Sequence, residues 1–219
     1  MAKFKTAPRE VIYTYVAGKG TAKYGKQYTS ENPLDFEFKA SSVYTAEEAK
    51  PLLARVAEFW KDNKVTGKKF KSSFLKEEEK VTDEKDEMGE PIKVKTGNYI
   101  LTASTNAAFA SKDGTVTLNK VSIFNSKGVK LPDTHPLCMG EIGVGEGSKA
   151  IIHADMAVTT YESNAFVKLY LKGVQFTKFV PRELAGVDTE DVSEGEDDGL
   201  SGDGLDVTDT TQDGIGPNL

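Results

Sequence analysis

The residues of this 219-residue chain best suited to chemistry are rings interleaved with lysines. In Phe166-Val167-Lys168-Leu169-Tyr170-Leu171-Lys172 side chains alternate across a strand. Phe166, Lys168, Tyr170 and Lys172 therefore share one face, and Val167, Leu169 and Leu171 the other. Lysines track a phosphate backbone and rings stack on bases, which is how single strands are held without sequence preference. A strand whose rings pack under a loop and whose lysines are solvated satisfies the same pattern. A second set lies in Gly18-Lys19-Gly20-Thr21-Ala22-Lys23-Tyr24-Gly25-Lys26-Gln27-Tyr28. Here glycine gives close approach, Lys19, Lys23 and Lys26 give charge, and Tyr24 and Tyr28 give stacking surface. An ordinary solvated loop has this composition too. No Gly-Lys-Ser or Gly-Lys-Thr occurs in it, so it is not a P-loop.

Other chemistry finds little support. His135, His153 and Cys138 are the only histidines and cysteine, and their spacing matches no recognised metal set. The run Gly143-Val144-Gly145-Glu146-Gly147 precedes a strand pattern, whereas a dinucleotide fingerprint opens a helix. Carboxylates concentrate in residues 77–90 and beyond 183, where no pattern would hold them in a fixed constellation. The expectation is a binding protein and not an enzyme, with no cofactor and no metal.

Charge is divided sharply along the chain. Of 34 acidic residues, twelve fall in 183–219 with no Lys or Arg, so 22 acids meet all 28 bases in residues 1–182, a net of +6. A basic body attracts polyanions, and an acidic tail competes with them for the same surface. The tail has no aromatic residue and no hydrophobic period, so it is expected to be disordered. The expected division is a binding domain over 1–182 and a tail over 183–219. The sequence contains no apolar run near the ~20 residues of a membrane span, and its start lacks the apolar core of a secretory signal. A lone cysteine fits a reducing compartment, so the expectation is a soluble intracellular protein with no membrane partner.

The elements that must carry these residues are mostly strands. Residues 1–10 read as a mobile basic arm and Val11–Val16 as a strand. Leu34, Phe36 and Phe38 alternate through 34–40. Thr45 and Glu48 form a capping box ahead of Leu52, Leu53, Val56, Phe59 and Trp60, whose spacing predicts a helix over 46–61. Pro51 lies inside it, where a kink or a separate first turn is expected. Lys61–Lys71 is basic, and residues 77–90 read as an exposed excursion. Ile92–Lys95, Tyr99–Ser104, Thr115–Leu118 and Val121–Phe124 are short strand candidates. After a glycine-rich run at Gly140–Lys149 come strands over 150–158 and 166–179, with a bulge at Gly173 because Val174 and Phe176 read as core. The predicted fold class is all-β with one helix: an OB-like antiparallel barrel with extra strands. A jelly roll or immunoglobulin-like sandwich is the competing architecture.

One ordered series adds to this reading. Asn125-Ser126-Lys127-Gly128, Gly145-Glu146-Gly147-Ser148-Lys149, Tyr161, and Val167-Lys168-Leu169-x-Leu171-x-x-Val174 together resemble the single-stranded DNA-binding proteins of short-tailed phages of the T-seven type. The Gly18-Lys19-Gly20 loop, the strand at 35–39, the helix and the acidic tail match the same family. The resemblance implies an OB-fold body, a homodimer, and the coating of single strands in phage DNA replication, recombination and repair. It also implies an acidic tail that contacts the phage DNA polymerase and helicase-primase and shields the DNA groove, in the cytoplasm of an infected bacterial host. Lys149 and Tyr161 fall on basic and aromatic family positions near that groove, and Lys19 in its basic loop. The family closes its tail on phenylalanine, whereas this sequence closes on Leu219.

Overall fold

A computed structural model describes residues 1–85 and 88–182, and in it the alternating segments become strands. In chain order these are β1 (Ala2–Lys5), β2 (Arg9–Tyr15), β3 (Thr21–Ala22) and β4 (Phe36–Tyr44), followed by helix α1 (Ala46–Asp62). Next come β5 (Lys69–Ser73), β6 (Leu75–Lys85), β7 (Pro91–Asn106), β8 (Ala108–Ala110), β9 (Val116–Leu118) and β10 (Ser122–Phe124). A four-residue helix α2 (Pro136–Met139) leads to β11 (Gly143–Val144), β12 (Lys149–Tyr161), β13 (Asn164–Lys178) and β14 (Pro181–Arg182).

Five strands close a ring. β2 pairs with β4, β4 with β7, β7 with β13, β13 with β12, and β12 returns to β2. Counted within the ring, its third and fifth strands are parallel neighbours, the connectivity of an OB barrel. The extra strands attach outside: β1 on β12, β3 on β4, β6 on β7, and β5 and β10 on β13. Most pairings are antiparallel, as the sequence predicts, but β13 runs parallel to β5, β7 and β10. The described residues also hold a second helix, α2, beside the one expected.

The barrel interior takes Phe36, Leu101, Ile152, Val167, Leu169, Leu171, Val174 and Phe176, all buried. Burying each side chain of this size contributes roughly 1.5–3 kcal/mol. Parity on β13 is therefore enforced, because a one-residue slip would drive Lys168 and Lys172 inward. The bulge expected at Gly173 is present: His153 pairs with Gly173 and the next residue, Ala154, with Leu171, leaving Lys172 unopposed. Glycine is needed there because a Cβ would stand 2.8 Å from the Ser122 carbonyl oxygen of β10. The bulge resets parity, so that Val174 and Phe176 point into the core.

Helix α1 starts at the predicted capping box. The Glu48 amide donates to the Thr45 hydroxyl, and the Thr45 amide donates to the Glu48 carboxylate. Arg9 of β2 also donates to that carboxylate at 2.6 Å, while its guanidinium lies 4.3 Å from the centre of the Tyr44 ring. Pro51 neither breaks the helix nor separates a first turn; the helix runs unbroken through it.

Three local expectations are corrected and one is refined. The N-terminal arm is not mobile: β1 pairs with β12, and Phe4 is 3% exposed against Phe74. The exposed excursion expected over 77–90 is exposed, and its described residues are regular: β6 and β7 form a long ribbon leaving the barrel. The separate strands at 92–95 and 99–104 are one strand, continuous through Gly97. The connection between β12 and β13 shrinks to the two-residue turn Glu162-Ser163. The acidic segment 183–219, read from sequence as a disordered tail, lies outside the described residues.

Candidate nucleic-acid interface

The outer face of four adjacent strands forms a trough of about 550 Å³. β2, β4, β7 and β13 lie side by side there, spanning roughly 14 Å along the sheet at about 4.8 Å per strand. The floor is made of small hydroxyl residues: Ser41 pairs with Thr102 across β4 and β7, their hydroxyls 3.0 Å apart, and Ser104 pairs with Lys39. Small side chains between larger ones are what make the surface concave. Phe166 and Lys168 line the β13 side, with Ser72 of β5 and Lys76 and Ile100 of the ribbon's base. Tyr170 faces Ser104 across the β7–β13 pairing.

The electrostatics of this trough are one-sided. Lys39, Lys76 and Lys168 have no carboxylate within ion-pair distance among the described residues. The acid in the lining, Glu77, is already paired with Lys95. Lys172 shares the outer face of β13 but lies 3.8 Å from Asp155 of β12. The outward row Phe166–Lys172, its lysines exposed and its rings half-buried, thus has the orientation its alternation predicts, and its first two members line the trough.

The remaining predicted residues divide. Tyr161, 68% exposed, ends β12 opposite Asn164, two positions beyond Thr159, which pairs with Phe166. Lys149 lines a neighbouring hollow with Pro8, Arg9, Glu10, Ile12 and Val43, farther along the outer face of β4. In the glycine-rich loop, Lys23 donates to the Leu34 carbonyl at 2.6 Å. Lys26 pairs with Asp35 at 3.0 Å, and Lys19 donates to the Ser30 carbonyl at 3.4 Å. Tyr28 donates its hydroxyl to the Gly20 carbonyl and sets its ring edge-on to Phe36. These four tie the loop to Gly20 and to residues 30–36. Tyr24 projects fully into solvent. The Ser30 hydroxyl and then Lys26 hold the Asp35 carboxyl below its ordinary range.

Two contributions to the site are invisible in sequence patterning. The basic segment before β5 docks on the β12–β13 turn, where the Lys69 amide and the Lys68 ammonium donate to the carbonyls of Ser163 and Glu162. Tyr13 is the other. The β2–β4 register passes from Ile12↔Ser41 to Tyr15↔Lys39, so Tyr13 and Thr14 together oppose Ala40. In this bulge Thr14 stays buried while Tyr13, 63% exposed, turns outward to line the trough. The only sequence signal is Val11-Ile12-Tyr13-Thr14-Tyr15, in which strict alternation would bury Tyr13.

The residues weighed for metal binding sit in separate surroundings. His135 caps α2, its Nδ1 accepting from the Leu137 amide at 3.1 Å, and burial pushes its pKa down. His153 lies on the outer side of β12 beside Phe124, and burial lowers its pKa as well. The Cys138 thiol is pushed up by burial. Among the described residues no three metal-ligating side chains cluster.

No family model and no curated protein matches the chain. Among solved structures it is similar to gp2.5, a single-stranded DNA-binding protein encoded by bacteriophage T7. That likeness has 16% identity and a TM-score of 0.50, over 86% of this chain and 98% of that one. It shows a shared fold. A single-stranded DNA-binding protein from bacteriophage Enc34 matches with 12% identity and a TM-score of 0.47, over 85% and 87% of the two chains.

Proposed function

We propose that this chain is a phage single-stranded DNA-binding protein that holds its ligand in the trough without sequence preference. The observation that carries the reading is the trough itself: Lys39, Lys76 and Lys168 with no ion-pair partner among the described residues, on the strand face with which OB barrels bind oligonucleotides, beside Tyr13, Phe166 and Tyr170. Lysines would follow the phosphates, and rings would contribute about 1–3 kcal/mol per stacked base. The fold shared with the T7 protein, whose name states single-stranded DNA binding, supports the same reading.

In this reading Lys19, Lys23, Tyr24, Lys26 and Tyr28 border the path at one end of the barrel and Tyr161 at the other. Lys149, Tyr170 and Lys172 extend it over the flanking strands. Residues 1–182 are the binding domain. The acidic residues 183–219 compete with DNA for it and recruit the phage DNA polymerase and helicase-primase. The protein acts as a homodimer in replication, recombination and repair within the host cytoplasm. It performs binding and no catalysis.

Titration of fluorescent oligo-dT at two salt concentrations tests the reading. Binding is expected, weakening steeply with salt as counter-ions are released. Deleting 183–219 is expected to tighten binding at low salt. Absence of oligo-dT binding by both full-length and shortened protein sinks the proposal in favour of a protein-interaction module.

A further inference from the structure

We infer that Tyr13 is the platform of a subsite for one unpaired nucleobase in the trough, a role that rests on the single-strand reading above. The backbone at Tyr13 has φ of +47°, a region that bulky side chains rarely occupy because Cβ crowds the backbone. Asparagine or glycine would fill such a bulge with less strain. The fold gains nothing visible from the ring in return. It is largely exposed, and its hydroxyl has no hydrogen-bond partner among the described residues. Strained positions that persist without a packing benefit concentrate at ligand sites. Here the strain has one geometric result: it removes a tyrosine from the inward row of β2 and stands it at the rim of the trough.

The surroundings define the ligand. The trough holds hydroxyls on its floor and, on β4, β6 and β13, ammonium groups with no ion-pair partner among the described residues, so what stacks on Tyr13 carries anionic charge next to a flat ring. A nucleotide has both. A base within a duplex already has both faces covered by its neighbours, so the ring selects an unstacked base. The volume of the trough falls within the range of small-ligand sites.

Three proteins test this with oligo-dT: wild type, Tyr13→Gly and Tyr13→Trp. Glycine accepts the positive φ and lacks the ring. Tyr13→Gly is expected to bind roughly 5- to 150-fold more weakly, the equivalent of about 1–3 kcal/mol for one stacked base. Its melting temperature should not fall, and the salt dependence of its binding should be unchanged, because no charge is lost. In Tyr13→Trp the added tryptophan emission should be quenched at saturation, while Trp60 in the wild type reports no such change. Wild-type affinity in Tyr13→Gly, or unquenched emission in Tyr13→Trp, overturns the subsite and leaves single-strand binding standing. Weak binding accompanied by a lowered melting temperature also overturns it, since the ring would then be holding the fold. Failure of the wild type to bind instead removes the reading on which the subsite rests.

Discussion

The glycine-rich loop 18–28 and the outer face of β4, β7 and β13 are built from the same lysines and aromatic rings, yet they use them oppositely. In the loop, Lys19, Lys23, Lys26 and Tyr28 all turn back on carbonyls, a carboxylate or a buried ring. On the sheet, Lys39, Lys76 and Lys168 line a concave surface with no carboxylate within ion-pair distance among the described residues. Beyond the two-residue pairing of β3 with β4, the loop and the segment after it leave backbone carbonyls at Gly20, Ser30 and Leu34 to be satisfied, and the loop's long polar side chains do so. A strand has its backbone groups committed to the ladder, leaving its outward side chains available to a ligand. Richness in lysine and tyrosine marks both regions; only the partners separate them.

The largest effect expected is on binding. Reversing two trough charges in Lys39→Glu with Lys168→Glu should weaken oligo-dT by on the order of tenfold or more. It should also reduce the slope of log affinity against log salt by about 1.4, at ~0.7 per phosphate contact. Removing the loop cations in Lys23→Met with Lys26→Met should change affinity by less than about threefold, because these groups are already engaged. If the loop variant loses binding and the sheet variant does not, the roles of the two regions are reversed.

A smaller effect, on stability, should come from Gly20→Ala. A Cβ at Gly20 would stand 2.4 Å from the Glu37 carbonyl oxygen at a φ of +78°, so a cost of about 2–4 kcal/mol is expected. Denaturant unfolding should register this, with oligo-dT affinity near wild type wherever the protein remains folded. An undisturbed midpoint would show that the loop does not anchor on β4.

The smallest effect is a pH dependence confined to the loop. The Asp35 carboxyl is held below its ordinary range by Ser30 and Lys26. Its stabilisation is therefore fully present above the ordinary carboxylate pKa near ~4. It is lost as pH falls through the lowered value. The stability difference between wild type and Asp35→Asn should be constant from about pH 7 to 5 and vanish at lower pH. A difference that persists in strong acid would assign Asp35 a role other than its charge.

How legible each part was follows from where its determinants lie. α1 was legible because a capping box is local code: Thr45 and Glu48 specify the start, and Leu52, Val56 and Phe59 the inward stripe. The outward row from Phe166 to Lys172 was legible because one face of β13 is buried along its length, so alternation survives as far as Gly173. The β6–β7 ribbon was not. Both of its faces are solvated, and Lys80, Val81, Lys93 and Val94 follow no single parity with a core. β1 was hidden because four residues are too few to show a period, and its pairing partner lies some 150 residues away in sequence. Tyr13 was hidden because a bulge, set by how β2 meets β4, reverses the face that alternation assigns.

β13, the last long strand of the barrel, touches β12 along one edge and β5, β7 and β10 in turn along the other. Its place in the chain has a kinetic consequence. Until residue 178 has been synthesised, the ring cannot close, and β4 and β7 hold half of a core whose other half does not yet exist. Closure then joins segments far apart in sequence, the topology that folds slowly. Incomplete chains would expose apolar strand faces during that interval, which makes the nascent protein a candidate for chaperone capture during synthesis.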